Sequence, residues 1–268
     1  MANAKTRGVV LLTGAAGGIG SQTARRLVEA GHHVVLVDID GPGVHQLSAE
    51  LGDRTLGFQA DVTSLTDLER AVAATTERFG RLDAAIANAG IEILGPLGTM
   101  PMADVERVID VNLLGVWKTV RAALPEVIRS RGYILVVSSV SGATPGPFNA
   151  AYNAAKAGVA AMAKTLRLEV RRHGVRVGIA YFGYIDTVEG RRAVENPAMA
   201  EVMARAPARM RSPSPVDHAA VALVRSVERR SSRVVVPRSL APAIEIPERL
   251  QAVSERWLGR GQIRWRDS

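Results

Sequence analysis

The chain has 268 residues, no cysteine, 47% hydrophobic residues and a formal net charge of +8. That length suits one α/β domain, the hydrophobic content excludes a disordered chain, and the lack of cysteine excludes disulfides, thiolate catalysis and Cys-ligated metals. The positive charge comes from arginines scattered along the chain with few aromatics between them, the pattern of a solvated basic surface, so no nucleic-acid partner is expected.

The five histidines show no metal-ligand spacing, so no metal is expected, and His32-His33 at the start of a strand reads as structural. Arg7 is followed by only five apolar residues before Thr13-Gly14, which is not a signal peptide. The uncharged stretch 132–155 contains Gly, Pro, Ser and Asn, which rules against a membrane span. These features predict a cytoplasmic protein.

The apolar run 8–12 predicts a buried parallel strand. Behind it comes Thr13-Gly14-Ala15-Ala16-Gly17-Gly18-Ile19-Gly20 and then a helical pattern through Leu27 to Gly31. Glycines in such a turn let the backbone approach a pyrophosphate, and the helix start supplies N–H donors and the positive end of a dipole. A second strand, 33–38, ends in Asp38, 18 residues after Gly20, where a carboxylate can accept from both hydroxyls of an adenosine ribose. A third strand is expected at 54–58, with Asp61 and Val62 just beyond it, near where an adenine ring would lie. A helix over 64–79 has Ser64 as its N-cap. A fourth strand, 82–87, runs into Asn88-Ala89-Gly90. Helical periodicity covers 101–130 with a bend near Asn112, a poor mid-helix residue whose side chain can serve a site if the backbone kinks there.

The segment 139–156 organises the rest. An apolar strand, 133–137, leads to Ser139, at the sheet end where open α/β proteins bind their ligands. A long helix follows Asn149, and Tyr152 and Lys156 lie four apart on it, hence on one face. A tyrosine is a poor proton carrier at neutral pH, with an ordinary pKa of about 10. A cation one turn away favours the phenolate, and a nearby hydroxyl holds a substrate oxygen while its proton moves. A sixth strand at 175–181, a helix at 217–229 and a last strand at 233–236 complete a parallel sheet covered on both faces. Beyond it Pro237, Pro242 and Pro247 break regularity, and Leu250, Val253, Trp257 and Leu258 form a short apolar stripe.

Taken together and in this order, the motifs resemble the short-chain dehydrogenase/reductase family, over roughly residues 7–237. The glycine turn matches that family's cofactor turn, and Asn88-Ala89-Gly90 its Asn-Ala-Gly beside the adenosine. Asn112, Ser139, Tyr152 and Lys156 fall where it keeps its catalytic tetrad, with Ser139 preferred to Ser138 and Ser141 as the second serine of Ser-Ser-x-x-Gly. One departure stands out: the family's usual Pro-Gly-x-x-x-Thr reads Phe182-Gly183-Tyr184-Ile185-Asp186-Thr187 here.

The resemblance implies a doubly wound Rossmann fold with about seven strands, one domain over 1–268 with a core at 7–237 and a C-terminal extension at 238–268. It implies an NAD(P)-dependent alcohol dehydrogenase or carbonyl reductase. Tyr152 would exchange a proton with the substrate, Lys156 would bind the nicotinamide ribose and lower the Tyr152 pKa, and Ser139 would hold the substrate oxygen. Asn112 would hold a water linking Lys156 to solvent, and Ile185 and Thr187 would meet the carboxamide next to Gly183. Asp38 would repel the 2′-phosphate of NADP, and Gly17 stands where NADP-preferring relatives often place a cation, so the expected cofactor is NAD. A non-catalytic dinucleotide-sensing protein is the alternative, against which stands the retention of all four tetrad positions.

Pocket walls are expected from 91–97, 141–148 and 184–210. The first two are mainly apolar, with Ile93, Leu94, Pro145 and Phe148, which favours a steroid-, terpenoid- or acyl-like alcohol or ketone. The helix after Asn149 is dense in alanine and glycine, which lets helices approach closely. That predicts a homodimer through this helix and 113–129, with pairing into a homotetramer.

Overall fold

In the computed structural model, which describes residues 7–206 and 211–245, seven parallel strands form one sheet in the order β3-β2-β1-β4-β5-β6-β7. They are β1 (Val9–Thr13), β2 (His33–Asp38), β3 (Thr55–Gln59), β4 (Ala84–Ala87), β5 (Tyr133–Ser139), β6 (Arg176–Phe182) and β7 (Arg233–Val236). The chain runs outward from β1 to β3, returns to β4 beside β1, and runs outward again to β7. Strand order reverses between β1 and β4, and at that reversal a crevice opens at the carboxyl edge. This is the doubly wound Rossmann architecture expected from the alternation of strands and helices.

Two-residue periodicity explains why both faces are covered. Side chains alternate along a strand, so Leu11, Val35 and Val37 point to one face and Val10, Leu12, Val34 and Leu36 to the other. The first set packs on α3 (Leu65–Phe79), α5 (Gly115–Arg129) and α6 (Ala150–Val170). The second packs on α1 (Gly18–Glu29), α2 (Gly41–Leu51) and α9 (Val216–Arg229). In α6, Ala151, Ala155, Ala160 and Ala163 are buried in this way, whereas Ala154, Ala157 and Ala161 are exposed.

Local signals set most boundaries. Ser64 caps α3 by accepting from Asp67 N at 3.2 Å, and Gly80 ends it in the left-handed region at φ 77°. The helical stretch 101–130 is interrupted as expected: α4 (Met102–Ile109) passes through a π turn at Asp110–Leu114 into α5. Among the described residues, three helices before the last strand were not foreseen. The first is α2, capped by Asp40 and anchored by Val44, Leu47 and the partly buried Leu51 in a short, glycine-rich sequence. The others are α7 (Val188–Glu195) and α8 (Pro197–Arg205), whose caps Thr187 and Asn196 lie in a stretch with weak apolar periodicity. Strand β6 runs one residue past its expected end. Phe182 registers with Ser139 and Val236 and buries its ring in the core that proline would have interrupted. In the C-terminal extension, Arg238–Leu240 forms a 3₁₀ turn leading into α10 (Ala241–Glu245). The apolar stripe Leu250, Val253, Trp257 and Leu258 lies outside the described residues. No helix among the described residues is long and apolar enough to cross a membrane.

The histidine pair is structural. His33 packs its ring on Phe79 with centroids 4.6 Å apart. His32 is buried beside the Gly8 carbonyl. Burial holds its pKa below the usual histidine range, an effect that the Gly8 carbonyl and Glu228 offset only in part. Folding therefore keeps His32 neutral, and below about pH 6.5 the unfolded chain binds more protons than the folded one. Stability is complete above that pH and declines as pH falls toward the lowered folded value, by up to about 1.4 kcal/mol per pH unit. His32→Leu should flatten the fall in melting temperature between about pH 7 and pH 5.5, leaving the slope from His33, also lowered by burial and by Arg54 and Arg78. The same slope in variant and parent would refute this assignment.

Candidate active site

The glycine turn is built by close approaches. Gly14 follows β1 with φ 68°, and a Cβ there would lie 2.8 Å from Ala89 Cα. A Cβ on Gly20 would lie 1.9 Å from the Gly14 carbonyl oxygen. Gly17 is the N-cap of α1; no side chain caps this end and no acid occupies the first turn. The first-turn N–H groups, which have no partner within a helix, belong to residues that line a large cavity. At Gly18 a Cβ would come within 3.2 Å of the Thr187 methyl group, so the start of α1 faces the start of α7 across the crevice. A bare, positively polarised helix start with room for close backbone approach fits a pyrophosphate. The residues present therefore fit a dinucleotide.

Asp38, at the end of β2, is held beside this turn. Its Oδ2 accepts from Ala16 N at 3.0 Å and its Oδ1 from Asp40 N at 3.1 Å. Arg25 pairs with Glu50 at 2.6 Å, and Arg26 with Asp217 at 2.8 Å, so both guanidiniums are engaged elsewhere. After β3, the Asp61 carboxylate accepts from Thr63 N at 2.8 Å, and Val62 is buried against Gly115. Asn88 ties β4 to β1: its Nδ2 donates to the carbonyls of Thr13 at 3.0 Å and Gly14 at 3.2 Å.

The four tetrad positions lie on the other half of the crevice. Lys156 is buried, and its Nζ donates to the Val137 carbonyl at 3.1 Å and lies 5.5 Å from the Tyr152 ring centroid. Gly90 lets this ammonium and Asn112 draw near each other, because a Cβ there would sit 2.6 Å from Asn112 Oδ1 and 3.3 Å from Lys156 Nζ. Ser139 Oγ donates to the Phe182 carbonyl at 3.2 Å and accepts from Ser141 Oγ at 2.8 Å. Ser138 is occupied differently: its Oγ donates to the Lys156 carbonyl at 2.8 Å, clamping α6 to β5.

Electrostatics here differ from the expectation in one respect. Burial raises the Tyr152 phenol above its ordinary range, the Glu92 carboxylate raises it further, and the Ser139 hydroxyl offsets this. Burial also lowers Lys156 to about 8, with Glu92 opposing. Desolvation is thus the largest influence on the Tyr152 phenol, and it penalises the charged form of both groups.

The crevice is a cavity of about 1250 Å³, and every predicted catalytic and cofactor-binding residue lines it. That includes Ile19 on one side and Gly183, Ile185 and Thr187 on the other. Of the expected apolar wall residues Pro145 lines the cavity, whereas Ile93, Leu94 and Phe148 are not among its lining residues. Ordinary small-molecule pockets occupy roughly 300–1,000 Å³, so there is room for a dinucleotide and a second ligand. Sequence reasoning passed over two residues here. Glu92 lines the cavity, and Asn149, at the N-cap of α6, donates from Nδ2 to its carboxylate. The available signal was charge, since Glu92 is the one charged residue in 91–97.

A model of the family described as short chain dehydrogenase matches residues 8–198. The chain is similar to L-fucose dehydrogenase of Mus musculus, 39% identical over 180 residues, which cover 67% of this chain and 66% of that protein. It is similar to an uncharacterized NAD-dependent oxidoreductase of Mycobacterium tuberculosis, 34% identical over 78% of this chain and 81% of the other. Among solved structures it resembles 3-ketoacyl-(acyl-carrier-protein) reductase from Brucella melitensis, complexed with NADH. There the TM-score is 0.78 and the identity 27%, covering 86% of this chain and 97% of the other.

Asn112 carries a structural load visible in its contacts. Its Nδ2 donates to the carbonyls of Ile91 at 2.8 Å and Val108 at 2.9 Å, and its Oδ1 accepts from Ile91 N at 3.2 Å. These bonds hold the π turn to the end of β4. Asn112→Ala should leave buried backbone groups without partners and cost about 1–3 kcal/mol of stability, read by urea denaturation. Parent-like stability would show that the π turn holds without this amide.

Proposed function

The chain belongs to the short-chain dehydrogenase family of oxidoreductases, and we propose that it interconverts a secondary alcohol and a ketone with NAD(H), Tyr152 moving the proton. The observation that carries this reading is the meeting of Tyr152, Lys156 and Ser139 in the cavity that also holds the bare start of α1. A bound nicotinamide supplies the hydride donor or acceptor. The Ser139 hydroxyl holds the substrate oxygen, and Tyr152 gives that oxygen a proton in reduction or takes one in oxidation. Lys156 holds the nicotinamide ribose, and Asn112 holds a water that links its ammonium to solvent. Because the phenol is held above its ordinary range, oxidation gains with rising pH, whereas reduction runs with the phenol already protonated.

Apolar side chains on α8 support a substrate with an apolar body of steroid, terpenoid or acyl type; Met199, Val202 and Met203 all line the cavity. The Brucella relative's name points to acyl chains and the mouse relative's to a sugar, so the apolar body is compatible with a polar end.

Tyr152→Phe removes one oxygen and little else. On the best substrate of an alcohol and ketone panel it should lower turnover about 10²–10⁴-fold, with NADH affinity and melting temperature kept. Turnover within a few-fold of the parent would reject Tyr152 as the proton carrier.

NAD rather than NADP is supported by Asp38 beside the glycine turn and by the engagement of Arg25 and Arg26 elsewhere. Two like charges about 4 Å apart repel by roughly 4 kcal/mol at an effective dielectric of 20, and a tenfold preference needs only about 1.4 kcal/mol. The parent should favour NAD(H) at least tenfold in kcat/KM, and Asp38→Ala should narrow the gap. Equal values for the two cofactors in the parent would overturn this choice.

A further inference from the structure

Of the stretch 91–97, Ile91 and Glu92 line the cavity, and Glu92 is its one charged residue, set on the side of Tyr152 and Lys156. Its position is built. Gly95 N donates to the Phe148 carbonyl at 2.9 Å, and Gly95 pairs with Asn149 in a single parallel bridge. Asn149, one helical turn before Tyr152, donates from Nδ2 to Glu92 Oε1. An amide meets a carboxylate through its nitrogen, so this contact fixes which way Asn149 points. The second oxygen, Oε2, takes no donor among the described residues, and no arginine or lysine there closes on Glu92 as an ion pair.

We propose that Glu92 selects substrates with a second hydroxyl next to the reacting carbinol. Its carboxylate accepts that hydroxyl's hydrogen while Tyr152 exchanges a proton with the reacting oxygen. The inference rests on the oxidoreductase reading above and deepens it, giving the substrate an apolar body and a vicinal-diol or polyol end. A hydroxyl fits better than an amine, because the Lys156 ammonium acts on the same carboxylate and would repel a second cation. The competing explanation is that Glu92 only clamps its loop to α6. Glutamine separates the two, since its carbonyl still accepts from Asn149 but its charge is gone.

The test uses the full chain with NAD⁺ and two alcohols of one skeleton, cyclohexanol and cis-1,2-cyclohexanediol, followed by NADH absorbance. A charge-assisted hydrogen bond should make kcat/KM at least about tenfold higher for the diol in the parent. Glu92→Leu should erase that preference, mainly through KM for the diol. Glu92→Gln should shrink it while keeping the parent melting temperature. Glu92→Gln should also move the rising limb of the kcat–pH profile for oxidation to lower pH, because the carboxylate raises the Tyr152 phenol while Ser139 lowers it. A diol preference unchanged in both variants, or no preference in the parent, would overturn the role of Glu92 and leave the oxidoreductase reading standing. No NADH from these alcohols or from a wider panel of secondary alcohols and sugars would overturn the oxidoreductase reading itself.

Discussion

Burying one ammonium at the carboxyl edge of the sheet is the constraint on which the site depends. A charge taken out of water must be paired, hydrogen-bonded or partly neutralised. Lys156 meets this demand by donating to the Val137 carbonyl at 3.1 Å, by attraction to Glu92 and by a pKa lowered to about 8. Each partner comes from a different part of the chain. Val137 lies on β5, Glu92 follows β4, and Gly90 leaves out the side chain that would keep Asn112 and the ammonium apart. Moving any of these three would expose the cost of the buried charge.

The other half of the crevice is organised by backbone rather than by side chains. A helix start offers N–H groups and a positive dipole to an anion only if nothing covers it. Gly17 provides no cap, and Gly14 and Gly20 allow the turn to close on itself and on Ala89. Asn88 then ties this turn to the strand whose next residues reach Gly90 and Asn112. The two halves are therefore mechanically joined: the loop that steadies the glycine turn is continuous with the one that makes room for Lys156.

The substrate side is less uniform than its composition suggests. Glu92 lines the cavity beside Ile91, and its partial removal from water raises its pKa, opposed by Asn149 and Lys156. The same charge raises the Tyr152 phenol. A residue facing the substrate thus also acts on the proton carrier, which couples what the pocket accepts to the pH at which it works.

Much of this was legible in the sequence, because it depends on short-range periodicity. Continuous apolar runs in 9–13 and 33–38 specify strands buried on both faces, glycines at 14, 17, 18 and 20 specify the turn, and a spacing of four puts Tyr152 and Lys156 on one side of a helix. A polar, poorly helical Asn112 marked the break that became a π turn. The helices α2, α7 and α8 escaped because their apolar stripes are short and their stability comes from contacts elsewhere in the chain. Only the tertiary structure decided how the charges act on one another. Glu92 and Asn149 are 57 residues apart and meet because the β4 and β5 ends are neighbours in the sheet. Whether burial or Lys156 controls the Tyr152 phenol depends on how fully the surrounding loops enclose it. Spacing along a chain fixes which side chains share a face, but desolvation is set by everything that packs around them, and that exists only once the strands have taken their order.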